Sequence, residues 1–384
     1  MQLSRRELRR EWACDKRRER SHLLAALAAM FAVVLLCQCF RYNAHEYAQW
    51  FVPGAYFKSL WLALRLLISR LAKTGLYGQA DQLIDGIGSV LYYGSLARLK
   101  ITLISLTAGA ALCISGAVFQ TAYQNPMASP NIIGASAGVN LGNVLVVLLY
   151  SVQAYEHIFL RYKFCYGFTV ICVGLVLLLG RLAGDKRQNY SVMEMVMVGS
   201  IVSQAVNVFS MYVMYAKLDD DELVLYQEIR MGTYVDTSLE SMIIFFMVMA
   251  VAILPVLLVR YRMNSVGMDR LETTALGINT APLRLVCQIC GALMVTCAMI
   301  HCGEIGMLSM VVPYIIRRIV GADFRKVCVF SAIAGAILLM ICRLITSFVY
   351  LADEPIPVTF LMNVVLTPAF MVILAKQGRS RNET

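Results

Sequence analysis

Charge is scarce in this chain. Only 15% of its 384 residues are Asp, Glu, Lys or Arg, 59% are hydrophobic, and the mean hydropathy is +0.67. A soluble domain carries roughly 25% charged residues, so the composition argues against a water-soluble fold. The chain has no GxxxxGK[ST] phosphate loop and no Gly-Lys dipeptide, which excludes a Walker-type ATP site on it. Its one Cys-x-x-Cys pair, Cys287 and Cys290, has no second pair to complete a zinc site. It opens an apolar run, where small polarizable packing is the simpler role. No A-x-A-like cleavage site follows the apolar run Leu23–Leu36, where the chain reads Cys37-Gln38-Cys39-Phe40-Arg41. That run is read as an uncleaved first span rather than a signal peptide. Internal repeats and low-complexity tracts are absent.

Long apolar runs are abundant. A spanning helix needs about 20 mostly apolar residues. Runs of this kind predict ten spans: 23–40, 101–122, 132–150, 164–182, 192–215, 241–259, 283–301, 305–320, 327–350 and 357–375. The expected fold class is an all-α integral membrane protein. The net charge of +10 is confined to particular gaps, which is a topology signal and not a nucleic-acid-binding face. Arg181, Lys186 and Arg187, then Arg260, Arg262, Arg270 and Arg284, then Arg317, Arg318, Arg325 and Lys326 mark alternate gaps. With the basic tail Met1–His22 and the tail 377–384, they place both termini in the cytoplasm of a cell-membrane protein. The acidic gap Asp219–Glu222 is expected to be a solvated outer loop. The gap 41–100 is the exception to the charge rule. Within an insertion at 54–95 it carries an amphipathic repeat, Phe57 to Leu71, suited to an outer membrane–water interface or to packing on the protein itself.

Three segments carry more than span length. The first holds Gly109, Ser115, Gly116, Gln120, Asn125 and Pro126, then Gly134, Gly138 and Gly142 at four-residue spacing. That spacing lets helix backbones approach closely, and the Asn-Pro and Ser-Pro pairs break the helix between two spans. The second, within 262–284, holds Asn264, Gly267, Asp269, Ala275, Leu276, Gly277, Ile278 and Asn279. It is too apolar for a plain loop and reads as two short helices joined near Gly277. The third holds Gly303, Gly306 and Pro313, a broken helix that a membrane tolerates only where protein or a cavity covers the freed backbone groups. His301, Cys302 and Glu304 could be drawn as metal ligands, but two are adjacent and no second shell can be named, so no metal site is assigned. Arg343 lies inside a span, where a charge is costly and either lines a path, snorkels to the interface or pairs structurally.

In order and spacing these segments resemble the FecCD family, the permeases of iron–siderophore, haem and cobalamin ABC importers. The family's Gly-Ala-Ala-Leu-x-x-Ser-Gly-x-x-x-Gln and Asn-Pro-Leu-Ala-x-Pro patterns are matched from Gly109 to Pro130, with Met127 for Leu. Gly-Pro-Ile-Gly-Phe-x-Gly-Leu-x-x-Pro-His is matched at Gly303, Ile305, Gly306 and Pro313. Glu304, Ser309 and Tyr314 stand where the family has proline, glycine and histidine. The family's Asp-x-x-x-Arg is missing, with only Arg343 nearby, and its Arg-Leu-Pro-Arg reads Arg98-Leu99-Lys100-Ile101. The resemblance implies a permease with no catalytic residues and no cofactor of its own. ATP and magnesium would sit on cytoplasmic ATPase subunits seated on 264–284. An extracytoplasmic binding protein, free or lipid-anchored, would dock near Arg98 and Lys100. A second permease copy or paralogue would complete the path. The competing class is an ion-coupled secondary transporter, for which Glu194 and Glu304 are the only candidate ion groups.

Overall fold

The computed structural model describes residues 5–39, 87–150, 158–183, 192–232, 238–268, 273, 280–346, 349–351 and 354–382. Twelve helices are defined among them: α1 (Arg5–Cys39), α2 (Ile87–Ala122), α3 (Ala135–Tyr150), α4 (Ile158–Ala183), α5 (Val192–Lys217) and α6 (Asp220–Met231). They continue as α7 (Leu239–Val259), α8 (Met263–Val266), α9 (Ala281–Cys302), α10 (Gly306–Val320), α11 (Phe324–Thr346) and α12 (Val358–Asn382). A 3-10 turn, Pro130–Ile133, precedes α3, and a two-residue antiparallel pairing, Tyr350 opposite Pro355, precedes α12.

Each predicted span falls on one of these helices. Six are long and apolar enough to cross a membrane: 99–122 of α2, 159–182 of α4, 195–217 of α5, and α7, α9 and α11. The apolar stretches of α3 and α12 are shorter. Several boundaries differ from the sequence expectation. α2 starts at Ile87, inside the predicted insertion, and α11 ends at Thr346 rather than 350. The acidic gap is not a loop: Asp219 caps α6, Asp220–Glu222 form its first turn, and the Asp219 N–H donates back to Glu222 Oε2 at 3.3 Å. Carboxylates there favour the positive end of the helix dipole. The Phe57–Leu71 repeat lies outside the described residues.

α2 and α9 are the most deeply buried of the long helices, and α11, α10, α7 and α3 surround them. In lipid, apolar burial does not drive helices together, so close packing and interhelical hydrogen bonds must do so. The small residues show how. A Cβ on Gly109 would lie 2.5 Å from the Gly335 carbonyl oxygen, and one on Gly138 would lie 2.6 Å from Thr169 Cα. Gly142 meets Cys165 of α4 in the same way, so Gly138 and Gly142 form the expected close-approach stripe. Gly134 does not belong to it: with φ +80° it is the left-handed cap that ends the 3-10 turn. On the periphery α5 and α7 expose Ile201, Phe209, Tyr212, Val251, Leu254 and Leu258. Such a band is intolerable in water and ordinary against acyl chains or a second membrane subunit.

Candidate functional site

Side-chain hydrogen bonds gather at three levels of the bundle. In its second half, α2 is stitched to α9 and α10. Ser115 Oγ donates to the Gly291 carbonyl at 2.9 Å, and Gln120 Nε2 donates to the Met310 carbonyl at 2.8 Å. Pro313 lies inside α10 and has no N–H, so the Ser309 carbonyl one turn earlier loses its helical donor. Gly116 faces that carbonyl so closely that any Cβ would overlap it. The break that precedes α10 runs through Gly303, at φ +77°, to Gly306, where a Cβ would stand 2.8 Å from Asn131 Nδ2.

At one end of the bundle the last turn of α2, the segment 263–268 and the α10–α11 junction form a hydrogen-bonded platform. Gln124 adopts φ +50°, rare for a residue with a side chain, and its Nε2 donates to the Met268 carbonyl at 2.6 Å. Asn125 holds the following turn, its Oδ1 accepting from the Met127 N–H at 2.9 Å just past Pro126. Arg317 donates to Thr121 Oγ1 at 2.9 Å. Asn264 is the centre of the platform: Nδ2 donates to Asp323 Oδ1 at 2.9 Å, and Oδ1 accepts from the Phe324 N–H at 2.8 Å. Gly267 closes the one-turn α8 and leaves room for the Thr121 methyl, which a Cβ would meet at 3.3 Å. The Arg325 guanidinium, 2.8 Å from Asp323, and the Asn264 amide hold the Asp323 carboxyl down at about 2. A depressed carboxyl stabilises the fold above its ordinary range and loses that contribution only as pH falls towards 2. The platform is therefore insensitive to pH across the neutral range. Asp269, Ala275, Leu276, Gly277, Ile278 and Asn279 lie outside the described residues.

The opposite end is closed by α6. Glu304 Oε2 accepts from Arg230 Nε at 3.1 Å and from Asn140 Nδ2 at 3.3 Å, while the Glu304 N–H donates to the Arg230 carbonyl at 3.0 Å. Gly232 and Gly303, both at positive φ, pack against each other, and Thr359 Oγ1 donates to the Met231 carbonyl at 2.9 Å. His301 and Cys302 do not join Glu304 in a ligand set. His301 is buried against Phe245 and hydrogen-bonded to Tyr162. Arg98 and Lys100 stand at this end of α2, around the start of its apolar stretch. Arg343 donates to Ser105 Oγ at 3.3 Å, a structural pairing inside the bundle. Sequence reasoning overlooked one buried polar group: Arg161 Nε donates to Asn143 Oδ1 at 3.1 Å, both being under 5% exposed. Its signal was present, since Asn140 and Asn143 interrupt an otherwise apolar span.

Glu304 and Arg230 are both partly exposed, so their ion pair contributes less than about 1 kcal/mol. Glu304→Gln is accordingly expected to lower the melting temperature in detergent only slightly. Gly303→Ala is expected to lower it far more, because the new Cβ would stand 2.5 Å from the Gly232 nitrogen at a backbone angle that favours glycine. A thermal shift series on the purified protein checks the order.

A tightly packed helical bundle with spanning helices, a glycine-lined core and polar clusters at both ends defines a multi-pass membrane protein. The model of the FecCD transport family matches residues 93–376, and the chain belongs to that family, the permease subunits of ABC importers. The chain is 25% identical to the molybdate import system permease protein MolB of Haemophilus influenzae, over 85% of this chain and 98% of that protein. It is 26% identical to the "Probable iron chelatin transport system permease protein" of Helicobacter pylori strain 26695, over 72% of this chain and 80% of that one. An inward-facing structure of a metal-chelate type ABC transporter shares the fold, with a TM-score of 0.71 at 19% identity, covering 93% of this chain and 99% of that one.

Proposed function

We propose that this chain carries an iron–siderophore-type complex, or a related haem or cobalamin, into the cytoplasm by alternating access. The observation that carries the importer architecture is the platform built on Asn264 and Asp323. It is a rigid, polar seat at the bundle end where Arg260, Arg262, Arg317, Arg318, Arg325 and Lys326 collect. By the positive-inside rule that end is cytoplasmic, as are both termini. Two ATPase subunits would seat on the platform and on the 269–279 stretch that follows, and would supply ATP and magnesium. The opposite end, with Arg98, Lys100 and α6, would receive the binding protein. A second permease copy or paralogue would cover part of the apolar face of α5, with lipid covering the rest. Gly109, Ser115, Gly116, Gln120, Gly138 and Pro313 serve the packing that lets the bundle move as rigid parts.

The test is co-purification of the tagged chain with its ATPase subunit in detergent. Retention by the native chain and loss in Gly277→Arg are the expected outcome. A folded native chain that retains no ATPase overturns the importer reading in favour of an ion-coupled carrier. One observation favours a second substrate reading: the molybdate permease aligns along almost its entire length. Uptake of a ferric siderophore and of molybdate into vesicles bearing the assembled importer decides between them.

A further inference from the structure

α7 carries an exposed apolar stripe on the side away from the bundle. Ile243, Met247, Val251, Leu254 and Leu258 are exposed and recur three or four residues apart, while Phe245, Met249 and Val256 on the other side are buried. Tyr261 follows three residues after Leu258, between Arg260 and Arg262, both of which keep helical backbone angles, and it is exposed too. The stripe therefore ends on an aromatic ring. From Ile243 to Tyr261 it covers about 27 Å at about 1.5 Å per residue, close to the roughly 30 Å of a bilayer's hydrocarbon core. A tyrosine at that point stands where rings with a polar tip collect, at the boundary between acyl chains and headgroups.

Two guanidiniums gather on this ring. Arg260 Cζ lies 5.1 Å from its centroid, and Arg325 Cζ, from the start of α11, lies 5.5 Å from it. Neither uses all its donors. Arg325 gives Nε and Nη2 to the Asp323 carboxylate, and its Nη1 makes no hydrogen bond among the described residues. Arg260 Nη2 donates to the Tyr261 hydroxyl at 3.4 Å, and Arg260 forms no ion pair among the described residues. The neighbouring charges do not balance. Arg260, Arg262, Arg325 and Lys326 stand with two carboxylates, Asp323 and Glu19, which Arg325 and Lys326 already hold. Like charges gathered this closely repel, and an anion seated among them offsets the cost.

We propose that Arg260, Tyr261 and Arg325 hold the phosphate headgroup of an anionic phospholipid whose acyl chains lie along the α7 stripe. A guanidinium stacked on a ring is weakly hydrated, and its planar fork fits a phosphate. The excess positive charge sets the sign of the headgroup. The apolar stripe that runs unbroken into the ring sets a lipid as occupant, because one molecule then satisfies both. The inference uses only the membrane placement of α7 and does not depend on the importer reading. Arg325 also holds the Asp323 carboxylate beside Asn264, so the lipid would brace the platform from its membrane side.

The experiment is native mass spectrometry of the full chain in detergent, titrated with phosphatidylglycerol or with phosphatidylcholine. The native chain is expected to retain phosphatidylglycerol ahead of phosphatidylcholine. Arg260→Gln and Tyr261→Ala are each expected to weaken phosphatidylglycerol binding at least about fivefold. Phosphatidylcholine binding, and the melting temperature in phosphatidylcholine micelles, should not change. Arg318→Gln is the control: this exposed arginine at the same end stacks on the buried Tyr314, 5.1 Å from its centroid, and should leave the lipid preference intact. Equal retention of the two lipids by the native chain, or an unchanged preference in either variant, overturns the proposal. An equal loss in Arg318→Gln overturns it in favour of diffuse surface charge, and a lowered melting temperature in favour of packing within this chain. Displacement of the lipid by inorganic phosphate, beyond that by acetate at equal ionic strength, overturns it in favour of a small-anion site. Lost ATPase retention in Arg260→Gln with the lipid preference intact overturns it in favour of a protein contact.

Discussion

Gly116→Ala is expected to remove most folded protein from the membrane, and Gly116→Leu all of it. The added Cβ would overlap the Ser309 carbonyl oxygen, and that atom has nowhere to go. It belongs to α10 backbone one turn ahead of Pro313, within a helix tied back to α2 by the Gln120–Met310 bond. Relief requires α2 and α10 to separate. That would break the bond, expose a carbonyl whose donor proline has removed, and disturb the Ser115–Gly291 contact one residue away. Overpacking a rigid core costs about 1–3 kcal/mol when side chains can yield, and more when the obstacle is backbone. A loss above about 3 kcal/mol removes most of the margin of a typical fold. The control is Gly174→Ala, where an added Cβ finds nothing within 4 Å. Fluorescence-detected gel filtration of tagged variants reads the contrast. A monodisperse Gly116→Ala protein with native melting temperature would show that α2 and α10 are not in contact at this depth.

The difference between these two glycines also shows where the sequence was legible. Spans were readable because lipid demands long apolar runs: 241–259 was expected and Leu239–Val259 found, and 283–301 was expected where Ala281–Cys302 forms. What followed from tertiary proximity was not readable. Gly134, Gly138 and Gly142 share one spacing, yet one caps a turn and two pack against α4. The first turn of α6 looked like a loop because helix-favouring carboxylates at an N-terminus resemble a solvated acidic run. Arg230 and Glu304 are 74 positions apart, and no local pattern links them. The early start of α2 was hidden because Tyr92, Tyr93, Gly94 and Arg98 interrupt the apolar run, while a helix outside the bilayer needs no such run. At the candidate site, Asn264 and Gly267 were legible as members of a segment. The partners that give Asn264 its role, Asp323 and the Phe324 N–H, were not.

Asn264→Ala is expected to leave the permease folded and uncouple it. One amide holds two elements, donating to Asp323 and accepting from the N-terminal N–H of α11. Its loss frees 263–268 from the α10–α11 junction and leaves a partly buried donor and acceptor without their partner, at about 1–3 kcal/mol. The contacts of Ser115, Gly116 and Gln120 use none of the atoms that Asn264 holds, so the melting temperature should fall only modestly. Force from an ATPase seated on the platform would no longer reach α10 and α11 as from one rigid body. We expect ATP hydrolysis by the assembled importer to persist while uptake falls at least about tenfold, in line with the energy of the lost pair. Asn264→Asp should be worse than alanine, because it sets a carboxylate against the Asp323 carboxylate, which Arg325 keeps ionised. Asp323→Asn in the Asn264→Asp background should recover part of the loss by restoring an amide–carboxylate pair of reversed polarity. Hydrolysis and uptake measured on the same proteoliposomes separate the cases. Parallel loss of both would make Asn264 a residue of ATPase attachment, and preserved uptake would show that the junction transmits force by another route.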